Sequence, residues 1–251
     1  MYPMRHIALM TDFGMRDPYV AAMKGVIASR CDAAIDDLSH DIAPFDVFEA
    51  AWFLRSAARY WPEGTVFVVV IDPGVGTARR MLAVDDGQRI FVAPDNGVLH
   101  FIDGTARSIE NTSLFLSDGS TTFHGRDRFA PIAAAIASGL ALDELGPRID
   151  DRVKLDYTPP KYERDCATGC IVDVDRFGNC ITDLEHARLG FEPRQLLVCG
   201  VSITRSSTTY AEAGRGAFMI VGSSGCYEIS VANESAAAML QIGRFDIVTL
   251  S

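Results

Sequence analysis

Four short stretches of the chain concentrate side chains that packing alone does not require. They are TDFGMRD (11–17), DPGVGTARR (72–80), FHGRDRFAP (123–131) and DRFGN (175–179). Each joins a carboxylate, arginine or histidine to a glycine, a combination suited to loops where backbone and polar groups come close to a ligand. Asp72 and Arg79 stand on either side of a Pro-Gly-Val-Gly turn, and the expectation is that the loop folds the two side chains together as an ion pair. His124, followed by Gly125, Arg126 and Asp127, has the charged neighbours that fix an imidazole in one tautomer and tune it. The trio Asp72, Arg79 and His124 therefore predicts a hydrolytic or substitution site. Plainer readings stand beside it: Asp12 and Asp17 as helix caps, with Pro18 at the first helical position, DPGVG as a simple turn, and His124 as a structural histidine.

Several chemistries are disfavoured by what the motifs lack. DPGVG has neither the lysine nor the hydroxyl of a phosphate loop, no G-x-G-x-x-G follows the first strand, and no G-x-S-x-G elbow occurs. A metal hydrolase built from Asp12, Asp17, Asp72 and His124 is disfavoured because one histidine stands among two arginines that repel a cation. Cys166 and Cys170 form a C-x3-C pair with no second pair at ligand spacing, so no metal is expected. The formal charge of −10 excludes a phosphate-backbone partner and suits a cationic small molecule. No apolar run is long enough to span a membrane. Six scattered cysteines, and opening residues without a cleavable apolar leader, predict free thiols in the cytoplasm.

The elements that must position these residues follow from periodicity. His6 to Met10 reads as a strand, Tyr19 to Ile27 as a helix, Val47 to Tyr60 as a second helix and Thr65 to Ile71 as a buried strand. Met81 to Val84 and Arg89 to Ala93 form a hairpin, and Ala130 to Leu140 an Ala-rich helix. Asp12 and Asp72 then fall beyond the carboxyl ends of strands, where open α/β sheets bind ligands. The Pro-Pro pair in 155–169 marks a connector. Beyond it, Cys170 to Asp173, Gln195 to Val201, Gly216 to Val221, Tyr227 to Val231 and Phe245 to Leu250 are strand-like. The expectation is an α/β N-terminal domain with a mainly parallel sheet (1–155), a linker (156–168) and a smaller antiparallel β-barrel C-terminal domain (169–251).

Taken in order, LMTDFGMRDPYVAAMKGVI, HDIAPFDVFEAA, VIDPGVGTARR, FVAPDNGVL, TFHGRDRFAP, VDRFGNCIT and SSGCYEISVANESAA resemble the S-adenosylmethionine hydroxide adenosyltransferase family, relatives of the fluorinase and chlorinase. The resemblance implies attack of a water-derived nucleophile on C5′ of S-adenosyl-L-methionine, giving adenosine and L-methionine without a cofactor. It also implies a homotrimer with each site between the N-terminal domain of one subunit and the C-terminal domain of the next. The family's Asp/Arg/His constellation falls on Asp72, Arg79 and His124. In the halogenases the position of Asp72 is neutral and that of His124 is not histidine, and the fluorinase insertion is missing between Met81 and Asn96, which favours water over halide. By the same resemblance Asp12 binds the ribose diol, and Asp17 with Asp175 the methionine amino end. Thr122, Asn179 and Ser223 contact substrate, and Phe45, Phe123 and Phe177 form aromatic walls, with ordinary core packing as their plainer reading. Ser224, Val231 and Asn233 lie on the segment that reads adenine. Thr182-Asp183 departs from the family's usual Thr-Asn. A non-catalytic adenosine-binding module is the remaining alternative.

The chemistry is consistent with this resemblance. A sulfonium leaves as a neutral thioether and needs no general acid. Water, with a pKa of about 15.7, is not held as free hydroxide by a carboxylate or imidazole. The expectation is that Asp72 and His124 remove the proton as attack proceeds, with Arg79 orienting the pair and keeping Asp72 anionic.

Overall fold

The computed structural model describes residues 5–251. The chain divides into two compact units, one ending at Asp156 and the other running from Tyr157 to Ser251.

The first unit is built on β1 (His6–Thr11), α1 (Tyr19–Ala28), β2 (Ala34–Ser39), α2 (Val47–Ala57), β3 (Val66–Val70), β4 (Met81–Asp85), β5 (Ile90–Pro94), β6 (Thr105–Ser108), α3 (Ala130–Ala137) and β7 (Arg148–Ile149). Its sheet runs β2-β1-β3-β5-β4-β6-β7. The β2-β1-β3-β5 half is parallel and the rest antiparallel.

Side-chain alternation explains why the parallel half is apolar throughout. Ile7, Leu9, Val66, Val68 and Val70 face α1 and α3, packing with Met23, Ile27 and Ala133. The intervening Ala8, Met10, Phe67, Val69 and Ile71 face α2, packing with Ala50 and Leu54. The Phe67 and Phe91 rings stack at 4.9 Å on that second face. Because α1 and α2 cover opposite faces, the connections leaving β1 and entering β3 diverge. The crevice lies between the carboxyl ends of β1 and β3, where Asp12 and Asp72 stand.

Three local expectations change. Pro18 caps α1 without any side-chain bond, so Asp17 is not its cap. Asp12 caps nothing either, since its carboxylate accepts the Phe45 N–H at 2.9 Å. The helix expected from Ala130 is entered through a π-helical turn, Gly125–Phe129, which begins directly after His124. Such wide turns re-aim side chains at functional sites. The edge strand β2 escapes sequence reading because AIDDLS carries two carboxylates and little apolar alternation, as edge strands often do.

The second unit contains β8 (Lys161–Tyr162), β9 (Ala167–Val174), β10 (Cys180–Glu185), β11 (Leu196–Val198), β12 (Val201–Ile203), β13 (Ala217–Val221), β14 (Cys226–Val231), α4 (Ala236–Leu240) and β15 (Ile247–Leu250). The strands follow the order β12-β11-β15-β9-β10-β14-β13, all antiparallel, and form a nearly closed barrel. A bridge from Ser206 to Met219 of β13 brings the two ends of the sheet together. The stretch expected to be a free connector supplies β8, paired to β9, and Tyr157, whose hydroxyl donates to Asp183 at 2.9 Å. Gln195 to Val201, expected as one strand, is the hairpin β11–β12. Its turn residues Cys199 and Gly200 both have positive φ, as a tight two-residue turn requires.

Candidate active site

In the crevice of the first unit, Arg79 Nε donates to Asp72 Oδ1 at 2.7 Å and Nη2 to Asp72 Oδ2. Both side chains are almost wholly buried, at 9% and 4% exposure, and the guanidinium also lies 5.4 Å from the Phe129 ring centre. Its planar fork matches the carboxylate, a geometry an ammonium does not provide. The turn between them can be this tight only because of Gly76: at φ +80°, a Cβ there would stand 2.9 Å from the Thr121 carbonyl oxygen.

Arg79 Nη2 also lies 2.9 Å from His124 Nδ1. A guanidinium has no acceptor, so Nδ1 accepts and the neutral ring carries its proton on Nε2. That Nε2 is buried and meets no protein partner. Burial first, then the charges of Arg128 and Arg79, lower the His124 pKa to about 4. The imidazole is therefore neutral at pH 7, with a buried Nε2–H donor that no protein group engages.

This displaced pKa makes stability depend on pH. Between pH 6.5, its ordinary value, and about 4, the unfolded chain binds the His124 proton and the folded one does not. Stability from this group is complete above that window and is lost as pH falls through it, by about 3 kcal/mol. Urea unfolding of the wild type and of His124→Gln should show their difference shrinking by that order between pH 7 and pH 4.5. A difference that stays constant with pH would contradict the assigned state of the ring.

Asp127, 1% exposed, holds the loop in front of His124. It accepts from Arg126 Nε at 2.5 Å and from the Ser120 N–H at 2.7 Å, and Ser120 Oγ accepts the Phe123 N–H at 3.1 Å. Burial raises its carboxyl, but the Arg126 and Ser120 bonds outweigh this and bring it below the usual range. Thr122 and Phe123 are thereby fixed at the rim.

Asp12, Phe45, Asp72, Thr122, Phe123 and His124 line one cleft of about 420 Å³, a volume suited to a small ligand. Asp17 is exposed and is not among its lining residues. Two further aromatics belong to the cleft, Phe13 and Tyr19, with ring centres 6.0 and 5.2 Å from Phe123. Sequence reading assigned Tyr19 to the periodicity of α1. The signal overlooked was a bulky aromatic at a helix start directly after Asp17-Pro18, where the residue is 45% exposed.

Phe45 is held in the left-handed region, φ 68°, and the residue is 70% exposed. A non-glycine residue there costs about 1–2 kcal/mol, and the Asp12 bond to its N–H helps hold the conformation. Phe45→Gly should raise stability by about 1 kcal/mol while lowering kcat/KM. Thermal melts with turnover assays check this, and a destabilised variant would show that the ring packs better than its exposure indicates.

In the second unit Asp175, Phe177, Asn179, Val231 and Asn233 line a cleft of about 600 Å³ together with Tyr210, which the sequence did not single out. Asp175 organises the turn: its carboxylate accepts from the Phe177 and Asn179 backbone N–H groups, both at 2.9 Å, and from Asn179 Nδ2 at 2.8 Å. Gly178 is required there, because a Cβ would come within 2.1 Å of Ser235 Oγ. Ser223 and Ser224 are not in this cleft. They occupy the turn of the β13–β14 hairpin, at the end opposite Val231, and Ser224 Oγ accepts the Cys226 N–H at 3.3 Å. Among the described residues no cluster of His, Cys, Asp or Glu has the arrangement of a metal site. Asp183, the departure from Thr-Asn, is buried and bonded to Tyr157 and to the Cys170 N–H.

A doubly wound unit with a buried Asp–Arg–His trio at its switch point, followed by a barrel unit bearing a polar and aromatic cleft, places the protein in a class of two-domain α/β-plus-barrel folds with a candidate site at the switch point. The SAM hydroxide adenosyltransferase N-terminal domain matches residues 7–146 and the C-terminal domain residues 169–249, and the chain belongs to this family. It is 37% identical to an (R)-S-adenosyl-L-methionine hydrolase of Thermus thermophilus, covering 94% of this chain and 96% of the relative. A fluorinase of an Actinoplanes species is more distant, at 30% identity over 83% of this chain and 84% of the fluorinase. A crystal structure of an uncharacterised conserved protein from Thermotoga maritima superposes with a TM-score of 0.89 at 32% identity, covering 97% of this chain and 99% of that one.

Proposed function

We propose that the protein hydrolyses S-adenosyl-L-methionine to adenosine and L-methionine. The observation that carries this reading is the buried Asp72–Arg79–His124 trio, joined by Arg79 and holding one Nε2–H without a protein partner, beside an aromatic cleft that Asp72 and His124 help to line. Water oxygen attacks C5′, the C5′–S bond breaks with its electron pair passing to sulfur, and the departing thioether is neutral. The proton released from water goes to Asp72, whose carboxylate keeps lone pairs beyond the two that Arg79 engages. His124 contributes its Nε2–H to orient the attacking oxygen. It is not a second base here, because its lone pair is already committed to Arg79. The trio acts by placement of a desolvated nucleophile.

Phe13, Tyr19 and Phe123 line the cleft as mutually packed rings, and aromatic rings beside a sulfonium attract it by about 0.5–2 kcal/mol. Asp12 is assigned the ribose diol, Asp175 the amino end of methionine, and Thr122, Phe45, Phe177, Asn179, Val231 and Asn233 the remaining contacts, while Asp17, Ser223 and Ser224, outside both clefts, keep only the substrate contacts that the family resemblance implies. A homotrimer with sites at its subunit interfaces is the proposed assembly. It is supported by large aromatics left exposed on each cleft, Phe45 at 70% and Phe177 at 78%, and light scattering after gel filtration tests it. A cytoplasmic location is supported by six free cysteines. No helix among the described residues is long and apolar enough to cross a membrane.

Product analysis in oxygen-18 water tests the reaction. Label in the adenosine 5′-hydroxyl is expected. Formation of 5′-halo-5′-deoxyadenosine in its place on adding halide would assign the chain to halide transfer. Binding without any product would reduce the trio to an ion-pair network.

A further inference from the structure

His40 takes no part in the chemistry described so far, yet it is buried, at 5% exposure, beside the loop that carries Asp12. Its place comes from an irregularity in the sheet. β1 pairs with β2 as Leu9 to Asp37 and then Met10 to Ser39, so β2 holds one extra residue and the chain after it is redirected. The imidazole then lies between two partners, with Nε2 2.9 Å from Asp37 Oδ1 and Nδ1 2.8 Å from Thr11 Oγ1. Lys24 Nζ donates to the other Asp37 oxygen at 2.7 Å, and Thr11 Oγ1 accepts the Phe13 N–H at 3.2 Å. With the ring proton on Nε2, every group is satisfied in one direction: Phe13 N–H to Thr11, Thr11 O–H to His40, His40 N–H to Asp37.

Carboxylate, imidazole and hydroxyl in this order are the parts of a nucleophilic triad. Burial decides against that role: Thr11 is 0% exposed, and its oxygen already accepts a backbone N–H. What the chain of bonds fixes is the 11–14 loop. The same loop is tied by the Gly14 N–H to the His40 carbonyl at 2.8 Å and by Asp12 Oδ2 to the Phe45 N–H at 2.9 Å. Asp12 is thus held at both flanking residues and through one of its own oxygens.

We infer that His40 is a positioning residue, setting through Thr11 and Asp37 the carboxylate of Asp12 that receives the ribose hydroxyls of the substrate. The inference rests on the proposed reading of the cleft as the S-adenosyl-L-methionine site. A geometric error at such a contact costs on the order of 10²-fold in rate. Steady-state kinetics on the full chain should compare S-adenosyl-L-methionine with its 2′-deoxy analogue, which lacks one of the hydroxyls assigned to Asp12.

Thr11→Val keeps volume but removes the hydroxyl, and should lower kcat/KM for the natural substrate by about 10- to 100-fold while leaving the 2′-deoxy analogue nearly unaffected. Thr11→Ser should retain the wild-type ratio of the two substrates, and His40→Asn should lose it. In an Asp12→Ala background Thr11→Val should cause no further loss, because the two share one effect. Asp37→Ala, at a half-exposed side chain, supplies the same comparison if the buried variants do not fold. Equal losses on both substrates, or additive losses with Asp12→Ala, would overturn the inference and reduce His40 to general stability. A wild-type chain inert toward S-adenosyl-L-methionine would instead overturn the function, and the positioning role with it.

Discussion

Replacing His124 by alanine should lower kcat/KM for S-adenosyl-L-methionine by about 10²- to 10⁴-fold, the range for losing a group that acts on a proton or on the nucleophile in the transition state. Two consequences follow from its state in the fold. Its lone pair faces Arg79, so His124→Gln, which can accept from the guanidinium through its amide oxygen and present its amide N–H groups to the cleft, should recover part of the loss. And because the ring titrates near 4, the wild-type pH profile should stay flat through pH 6 to 8, without the inflection an ordinary histidine gives near 6.5. Turnover followed by adenosine release measures all of this. An alanine variant within twofold of wild type would remove His124 from the mechanism, and an inflection near 6.5 would restore it as a titrating base.

The largest effect on the fold is expected from Arg79→Ala. Asp72 is 4% exposed and would be left as a buried carboxylate without its cation, while His124 Nδ1 would lose its donor. Breaking a buried pair by removing one partner costs about 3–5 kcal/mol. The urea midpoint should fall accordingly with an unchanged slope, and activity should fall with it. Arg79→Lys should recover little of either, because an ammonium does not bridge both Asp72 oxygens and the imidazole at once. Removing both charges with Asp72→Leu and Arg79→Leu should recover stability without activity. A loss under about 1 kcal/mol for Arg79→Ala would show that water reaches the pair.

The parallel core was legible in the sequence because it is buried on both faces, which writes β1 and β3 as uninterrupted apolar runs. The trio was legible as residues, and the Asp72–Arg79 contact followed from the turn between them. The state of His124 was not, since the choice of ring nitrogen depends on which atom of Arg79 reaches it across 45 positions of chain. Tyr19 was missed because an aromatic facing a cleft and one facing a core look the same in a periodic pattern, and Tyr210 because it lies in an irregular stretch between β12 and β13 that has no pattern to place it. His40 was invisible because its setting depends on a bulge in a strand too polar to be recognised. Asp17, by contrast, has a suggestive motif but neither caps α1 nor lines the cleft.

The antiparallel flank of the first sheet has a consequence of another kind. β5 runs parallel to β3, so the β4–β5 turn lies at the sheet end away from the crevice, and Gly87 at its tip, φ 88°, faces open space. The two ends of the sheet are thereby uncoupled in what they tolerate. At the crevice end, Gly76 has no room for even one added carbon, whereas at the Gly87 turn the chain can gain length without disturbing a reacting group. That turn is the natural place to attach a reporter, and a place where lineages of this fold can diverge in size while their chemistry stays fixed.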